Sequence, residues 1–245
     1  TDFGLSVSAK TSTALYMRGT GAAHHVHVAE LGEPKFLGVA FKVASQADLH
    51  VLSKAPGVSA VQQIEEPGGG QRVTLTDPDG NTVEVVHGIA ELPALAQDVL
   101  PLNDAANGLR RVGTLSRHTK RAAKVLRIGH AVLKSHHPRQ MVSWYQDMFG
   151  LLCSDEVLAP NGQLALSFNR VDRGDAYVDH HVLLIDTGPK KGLNHVAYEV
   201  CDIDDLMLGH EHLKARGYEN VWGIGRHVYG GQLFDYWMDA WDFMY

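Results

Sequence analysis

The chain has 245 residues, 44% of them hydrophobic and 20% charged, an ordinary globular composition with enough apolar material for one large core or two modest ones. Its 22 Lys and Arg against 28 Asp and Glu leave a formal charge of −6, which argues against nucleic acid or an anionic membrane as the main partner and in favour of a small molecule. Cys153 and Cys201 stand outside any CxxC pattern, no apolar run approaches the roughly 18 residues of a membrane helix, and no basic-then-apolar leader opens the chain, so we expect a cytoplasmic protein with reduced thiols.

Taken in chain order, the predicted elements occur twice. Asp2-Phe3-Gly4-Leu5 reads as a helix end closed by glycine and followed by a strand, and Asp147-Met148-Phe149-Gly150-Leu151 repeats it. His24-His25-Val26-His27-Val28 is answered by His180-His181-Val182-Leu183-Leu184. Leu37 to Val43 lies over Asn194 to Val200 without a gap, and each is followed by a helix start, at Gln46-Ala47-Asp48-Leu49 and Ile203-Asp204-Asp205-Leu206. Thr76-Asp77-Pro78-Asp79-Gly80-Asn81, a turn leading into an alternating strand that contains Glu84, matches Met238-Asp239-Ala240-Trp241-Asp242-Phe243. Each copy predicts a strand, a helix and three strands, the first copy lacking its opening strand and most of its first helix and the second stopping one residue before its Glu.

The chain therefore divides into an N-terminal non-catalytic module over 1–92 with a trimmed start, a connector over 93–127, and a C-terminal catalytic module over 128–245 with a trimmed end. The connector carries Pro93, Pro101, Asn103, Asn107 and Gly108. We expect it to be partly helical, with Arg110, Arg111, Arg117, Lys120, Arg121, Lys124 and Arg127 forming a solvated basic face.

Two histidines carry the chemistry. His130 sits in the apolar run Ile128-Gly129-His130-Ala131-Val132, where a period of two puts Ile128, His130 and Val132 on one face; Leu193, His195 and Ala197 share a face in the same way. Taken singly, either histidine suits a hydrogen-bonded core as well as a metal. Position favours the metal: the first-module counterpart of His195 is Gly38, so the fold itself does not require an imidazole there. Two histidines and a carboxylate on three strands make the facial triad of non-haem iron(II), although zinc or manganese would accept the same donors. The register supplies the carboxylate, because Asp77 matches Asp239 and Glu84 then falls at position 246, just after the last residue of the chain.

The stretch from Gly225 to Ala240, with His227, Tyr236 nine residues later and Asp239 opening a turn, resembles the signature of the type I extradiol ring-cleavage dioxygenases of the vicinal oxygen chelate superfamily. Ala240 and Asp242 replace the usual Pro and Gly of that turn. The resemblance implies an α+β fold of two vicinal oxygen chelate modules, each a pair of βαβββ units forming a curved mixed sheet, with only the second module bearing metal. It implies Fe(II), with Mn(II) as the alternative, held by His130, His195 and the carboxylate at 246. A catechol and dioxygen would be the small-molecule partners, in a homo-oligomer that binds neither nucleic acid nor membrane. His181 would be the acid-base residue, and His227 with Tyr236 the pair that binds the substrate hydroxyls or helps to remove their protons. Structural roles stay open for His181, as a strand flank like His25, and for Tyr236, as a core aromatic. Two other functions use the same module: a metal-dependent, glyoxalase-like isomerase, against which His227 and Tyr236 argue, and a metal-free drug-binding resistance protein, against which His130 and His195 argue.

Overall fold

A computed structural model describes residues 1–97 and 119–245. The chain runs through β1 (Ser6–Lys10), β2 (Ala14–Arg18), β3 (His27–Glu30), β4 (Val39–Lys42), α1 (Gln46–Leu52), β5 (Gln62–Gln63), β6 (Gln71–Thr76) and β7 (Thr82–His87). The second half follows as β8 (Val125–Ser135), α2 (Pro138–Phe149), β9 (Leu152–Leu158), β10 (Leu164–Arg170), β11 (Leu183–Thr187), β12 (Gly192–Val200), α3 (Ile203–Ala215), β13 (Glu219–Arg226) and β14 (Leu233–Met238). No helix among the described residues is long and apolar enough to cross a membrane.

Local chemistry sets the helix ends. Ser45 caps α1 in a reciprocal capping box with Asp48, and Asp202 caps α3 by accepting from the Asp205 backbone N–H. Pro138 opens α2 where its missing N–H costs nothing, and Gly150 closes it in the left-handed region at φ 66°.

The second half builds a mixed sheet in the order β12-β8-β11-β10-β9, with β8 parallel to β11 and antiparallel to β12. The β13–β14 hairpin extends it, because Met244 bridges both His195 on β12 and Met238 on β14. The first half carries the sheets β1-β2-β3 and β4-β7-β6-β5, with β4 parallel to β7. This is the expected α+β arrangement of curved mixed sheets. The two turns that the repeat paired also match atom for atom. Asp77 Oδ1 accepts from the backbone of Asp79 and Asn81, and Asp239 Oδ1 accepts from Trp241 and Phe243. Asp242 takes the left-handed conformation (φ 64°) that Gly80 takes in the first copy (φ 91°), so the turn survives the loss of its glycine.

Three details differ from the sequence reading. First, β8 starts at Val125, within the stretch read as connector; of the rest, 93–97 and 119–124 form neither helix nor strand, and Arg110, Arg111 and Arg117 lie outside the described residues. Second, two of its cations are ion-paired: Arg121 meets the buried Asp205, and Arg127, on an exposed face, meets both Asp179 and Glu199. Third, strict alternation fails on both sides of the histidines. A bulge between Leu193 and His195 pairs Leu193 with Leu133, whereas His195 pairs with Val132 and Ala197 with His130. Leu133 belongs to the main core and Val132 to a separate cluster with Phe168 and Leu184 on the opposite face. One extra residue, Asn194, therefore turns Leu193 into the core while His195 and Ala197 face the other way, as a bulge beside a functional site commonly does. A second bulge at Gly129 pairs Ile128 with Tyr198 and removes Ile128 from the histidine face.

The main core is shared between the halves. Leu49, Val73, Val83 and Val85 from the first pack in one cluster with Leu133, Met141, Tyr145, Leu183 and Ile185 from the second. At its centre the fully buried Tyr145 donates its hydroxyl to Asp77 Oδ2 at 3.1 Å, tying α2 to the turn before β7. Tyr145→Phe keeps the packing and removes the charge-assisted bond, so it should lower stability by about 1.5–3 kcal/mol in urea unfolding. An unchanged unfolding midpoint would show that this link does not hold the halves together.

Candidate metal centre

The two bulges aim the imidazoles of β8 and β12 at one another. The rings of His130 and His195 lie 5.6 Å apart between centroids. His195 is buried, and its Nε2 has no hydrogen-bond partner. Its other nitrogen is engaged: Nδ1 meets Asn194 Oδ1 at 3.3 Å, and the Asn194 amide donates to Asp186 Oδ2 at 2.8 Å. Because the carbonyl can only accept, Nδ1 carries the proton and Nε2 presents a bare lone pair. A carboxylate reaching a histidine through a bridging group is the usual way in which a metal-binding imidazole is oriented. The same residue that makes the bulge thus supplies the bridge.

His181, in the turn before β11, stacks against His130 with centroids 4.0 Å apart. On the far side of His195 the Tyr236 ring meets it edge-on at 5.1 Å, and the Tyr236 hydroxyl lies 3.0 Å from His227 Nε2. The five residues named in the sequence therefore stand in one continuous chain of contacts. Aromatic neighbours complete it: Trp222 stacks on Tyr236 at 5.7 Å, Phe234 lies 4.1 Å from His227, and Phe168 meets His181 edge-on at 5.1 Å.

The electrostatics favour neutral imidazoles. Burial, reinforced by the neighbouring histidines, pushes His130, His181 and His195 down to about 3. Burial also lowers His227 and raises the Tyr236 phenol, so near neutral pH Tyr236 is a protonated donor beside a neutral ring. Unprotonated, buried imidazoles are ready ligands, and the unpaired Nε2 of His195 fits a divalent metal better than it fits a packed core. Among the described residues no group of three His, Cys, Asp or Glu stands together as a metal site.

The first module cannot imitate this arrangement. A side chain at Gly38, the counterpart of His195, would put its Cβ 2.4 Å from the Thr82 carbonyl oxygen, and the backbone there has φ 153°.

Sequence reasoning missed Asn194, Asp186, Asp155 and His180. Of these only His180 left a signal, a His-His doublet present in both copies. His180 does not stand free on a loop: it bonds to both His181 and Asp155.

The depressed histidines link the site to stability. The unfolded chain protonates as the pH falls below about 6.5, whereas the folded rings stay neutral to about 3, so their stabilising contribution is full above pH 6.5 and is lost progressively below it. Urea midpoints of the metal-free protein should fall between pH 7.5 and 4.5, and His181→Gln should shrink that fall. An equal fall in the variant would mean that His181 titrates normally in the folded protein.

Comparison with known proteins agrees with this fold. The chain is 28% identical over 212 residues to metapyrocatechase 2 of Cupriavidus necator, covering 86% of this chain but only 63% of that enzyme. It is 26% identical over 231 residues to the biphenyl-2,3-diol 1,2-dioxygenase of Sphingomonas paucimobilis, covering 87% and 69% of the two chains. The crystal structure of a Mn(II)-bound glyoxalase from Novosphingobium aromaticivorans superposes with a TM-score of 0.78 at 28% identity, over 99% of this chain and 72% of that one. The sequence pattern of the Glyoxalase/Bleomycin resistance protein/Dioxygenase superfamily matches residues 127–236, the segment holding His130, His181, His195, His227 and Tyr236. Over residues 127–236 this chain is accordingly similar to that superfamily.

Proposed function

We propose that the protein is an extradiol dioxygenase that inserts both atoms of dioxygen into a substituted catechol, at a site where His130, His195 and a carboxylate at position 246 hold Fe(II), with Mn(II) as the alternative. One observation carries the reading above the rest: the bare, buried Nε2 of His195, on a ring in contact with His130 and in one chain of contacts with His181, His227 and Tyr236. The relatives named for acting on catechol-type diols favour the same chemistry.

Strand register supports the third donor. In the first copy Ala40 pairs with Glu84. In the second, His195 bridges Met244 as the start of the equivalent parallel ladder, so position 246 would fall beside Ala197, whose other neighbour is His130. Three donors would then stand on one face of three adjacent strands.

When bound, such a metal supplies Lewis acidity toward the two catechol oxygens and an electronic path between ring and dioxygen. The residues of the chain do the rest. Trp222, Phe234, Phe168 and Tyr236 give a flat ring an apolar slot, which fixes its orientation and makes the reaction effectively intramolecular. Tyr236, held protonated by burial, donates to a substrate oxygen, and the neutral His227 beside it accepts a proton from a hydroxyl. His181, on the opposite side of His130, handles the proton that must move as the O–O bond breaks.

A second reading, a manganese-dependent isomerase, is favoured by the glyoxalase likeness alone. Dioxygen consumption separates the two. The full-length, iron-loaded protein should consume oxygen with at least one member of a panel of substituted catechols, and no uptake across the panel would remove the dioxygenase reading.

Variants should divide into two classes. His181→Gln should retain iron and anaerobic catechol binding while turnover falls by roughly 10²–10⁴, the usual range for a lost acid-base group. His130→Ala and His195→Ala should lose the metal itself. A His181 variant with full turnover would return that residue to a structural role.

A further inference from the structure

The hydrogen-bond chain behind His181 has the same form as the one behind His195. In each case the preceding residue ties the site imidazole to an aspartate: Asn194 links His195 to Asp186, and His180 links His181 to Asp155. His180 Nε2 lies 2.8 Å from Asp155 Oδ2, and His180 Nδ1 lies 3.0 Å from His181 Nδ1. Its surroundings hold His180 in place. Phe168 packs against both rings, and Gly230 passes so close that a Cβ there would come within 2.8 Å of His180 Nδ1.

The first module provides an internal control. His24 and His25 meet Nδ1 to Nδ1 at 2.9 Å, with ring centroids 5.2 Å apart and planes at 87°, against 5.2 Å and 88° for His180 and His181. Tyr16 stands against His25 as Phe168 stands against His181. The strand pairings match as well: Ala9 pairs with Tyr16 where Asp155 pairs with Phe168, so Ala9 is the counterpart of Asp155. The doublet therefore belongs to the fold of both copies. The carboxylate belongs only to the copy that contains His130 and His195.

We propose that Asp155 and His180 are positioning residues that set the tautomer of His181. The Asp155 carboxylate accepts the Nε2 proton of a neutral His180, whose Nδ1 must then accept. His181 consequently carries its proton on Nδ1 and leaves Nε2 bare. This deepens, and rests on, the reading of His181 as the proton-handling residue: it begins each cycle able to take a proton from a substrate hydroxyl, and returns it later. The opposite polarity, with a doubly protonated His180 donating to both neighbours, would leave His181 with its proton on Nε2 and no capacity to accept.

Long-range 15N–1H correlation spectra of the 15N-histidine-labelled full chain at pH 8, recorded before metal is added, distinguish these states directly. The native protein should show the Nδ1–H form at His181 and the Nε2–H form at His180. Asp155→Ala reproduces the first module and should release that preference, whereas Asp155→Asn keeps a carbonyl acceptor and should preserve it. In the iron-loaded protein Asp155→Ala should lower kcat by about 10–100-fold, the usual cost of a lost outer-shell partner, with iron content unchanged and Asp155→Asn largely restoring the rate. An Nε2–H form at His181, a protonated His180, or identical tautomers in the native and Asp155→Ala proteins would overturn the proposal. The spectra need no turnover, so a protein with the expected tautomers that cleaves no catechol would refute the function and leave the positioning intact.

Discussion

A buried nitrogen with a lone pair and no partner is costly, about 1–3 kcal/mol for a neutral group. His195 Nε2 is such an atom, and the arrangement around it makes sense only if something else completes it. The bulge at Asn194 turns the ring away from the core, the Asn194 side chain holds Nδ1 in its protonated form, and Asp186 holds Asn194. Burial then keeps the ring neutral over the whole physiological range. A core residue would have its last nitrogen satisfied by the same means that satisfied the first.

Duplication explains why the site is so one-sided. Both copies share the turn built on Asp77 and Asp239, the capped helix after β4 and β12, and the histidine doublet. Where the copies part, the first has small residues: Gly38 in place of His195 and Ala9 in place of Asp155. At Gly38 the replacement is enforced by the Thr82 backbone, which leaves no room for a side chain. The first module contributes packing instead, through the core it shares with α2 and through Tyr145 and Asp77.

Much of this was legible in the chain of amino acids because it depends on local pattern. The duplication, the asymmetry at Gly38, and His130 and His195 could be picked out by period and spacing, while His181, His227 and Tyr236 were named through the family resemblance; the second half holds two helices and seven strands, more than the one strand, helix and three strands read for each copy. The bulges were not legible. Asn194 and Gly129 sit in runs that read as regular strands, and only pairing with β8 reveals the extra residues that separate Leu193 and Ile128 from the histidine face. Asp155 was equally hidden, since 25 residues separate it from His180 and strand order alone brings them together. Arg121 and Arg127 were misread for a related reason, as their partners Asp205, Asp179 and Glu199 come from distant elements.

What binds between His130 and His195 decides whether these imidazoles are metal ligands. Anomalous diffraction at the iron edge, from crystals of the full-length protein grown with Fe(II) and without oxygen, tests it most directly. One peak per chain, within coordination distance of His130, of His195 Nε2 and of a carboxylate following Tyr245, is the predicted result. A site without metal, or a metal bound elsewhere in the chain, would contradict it.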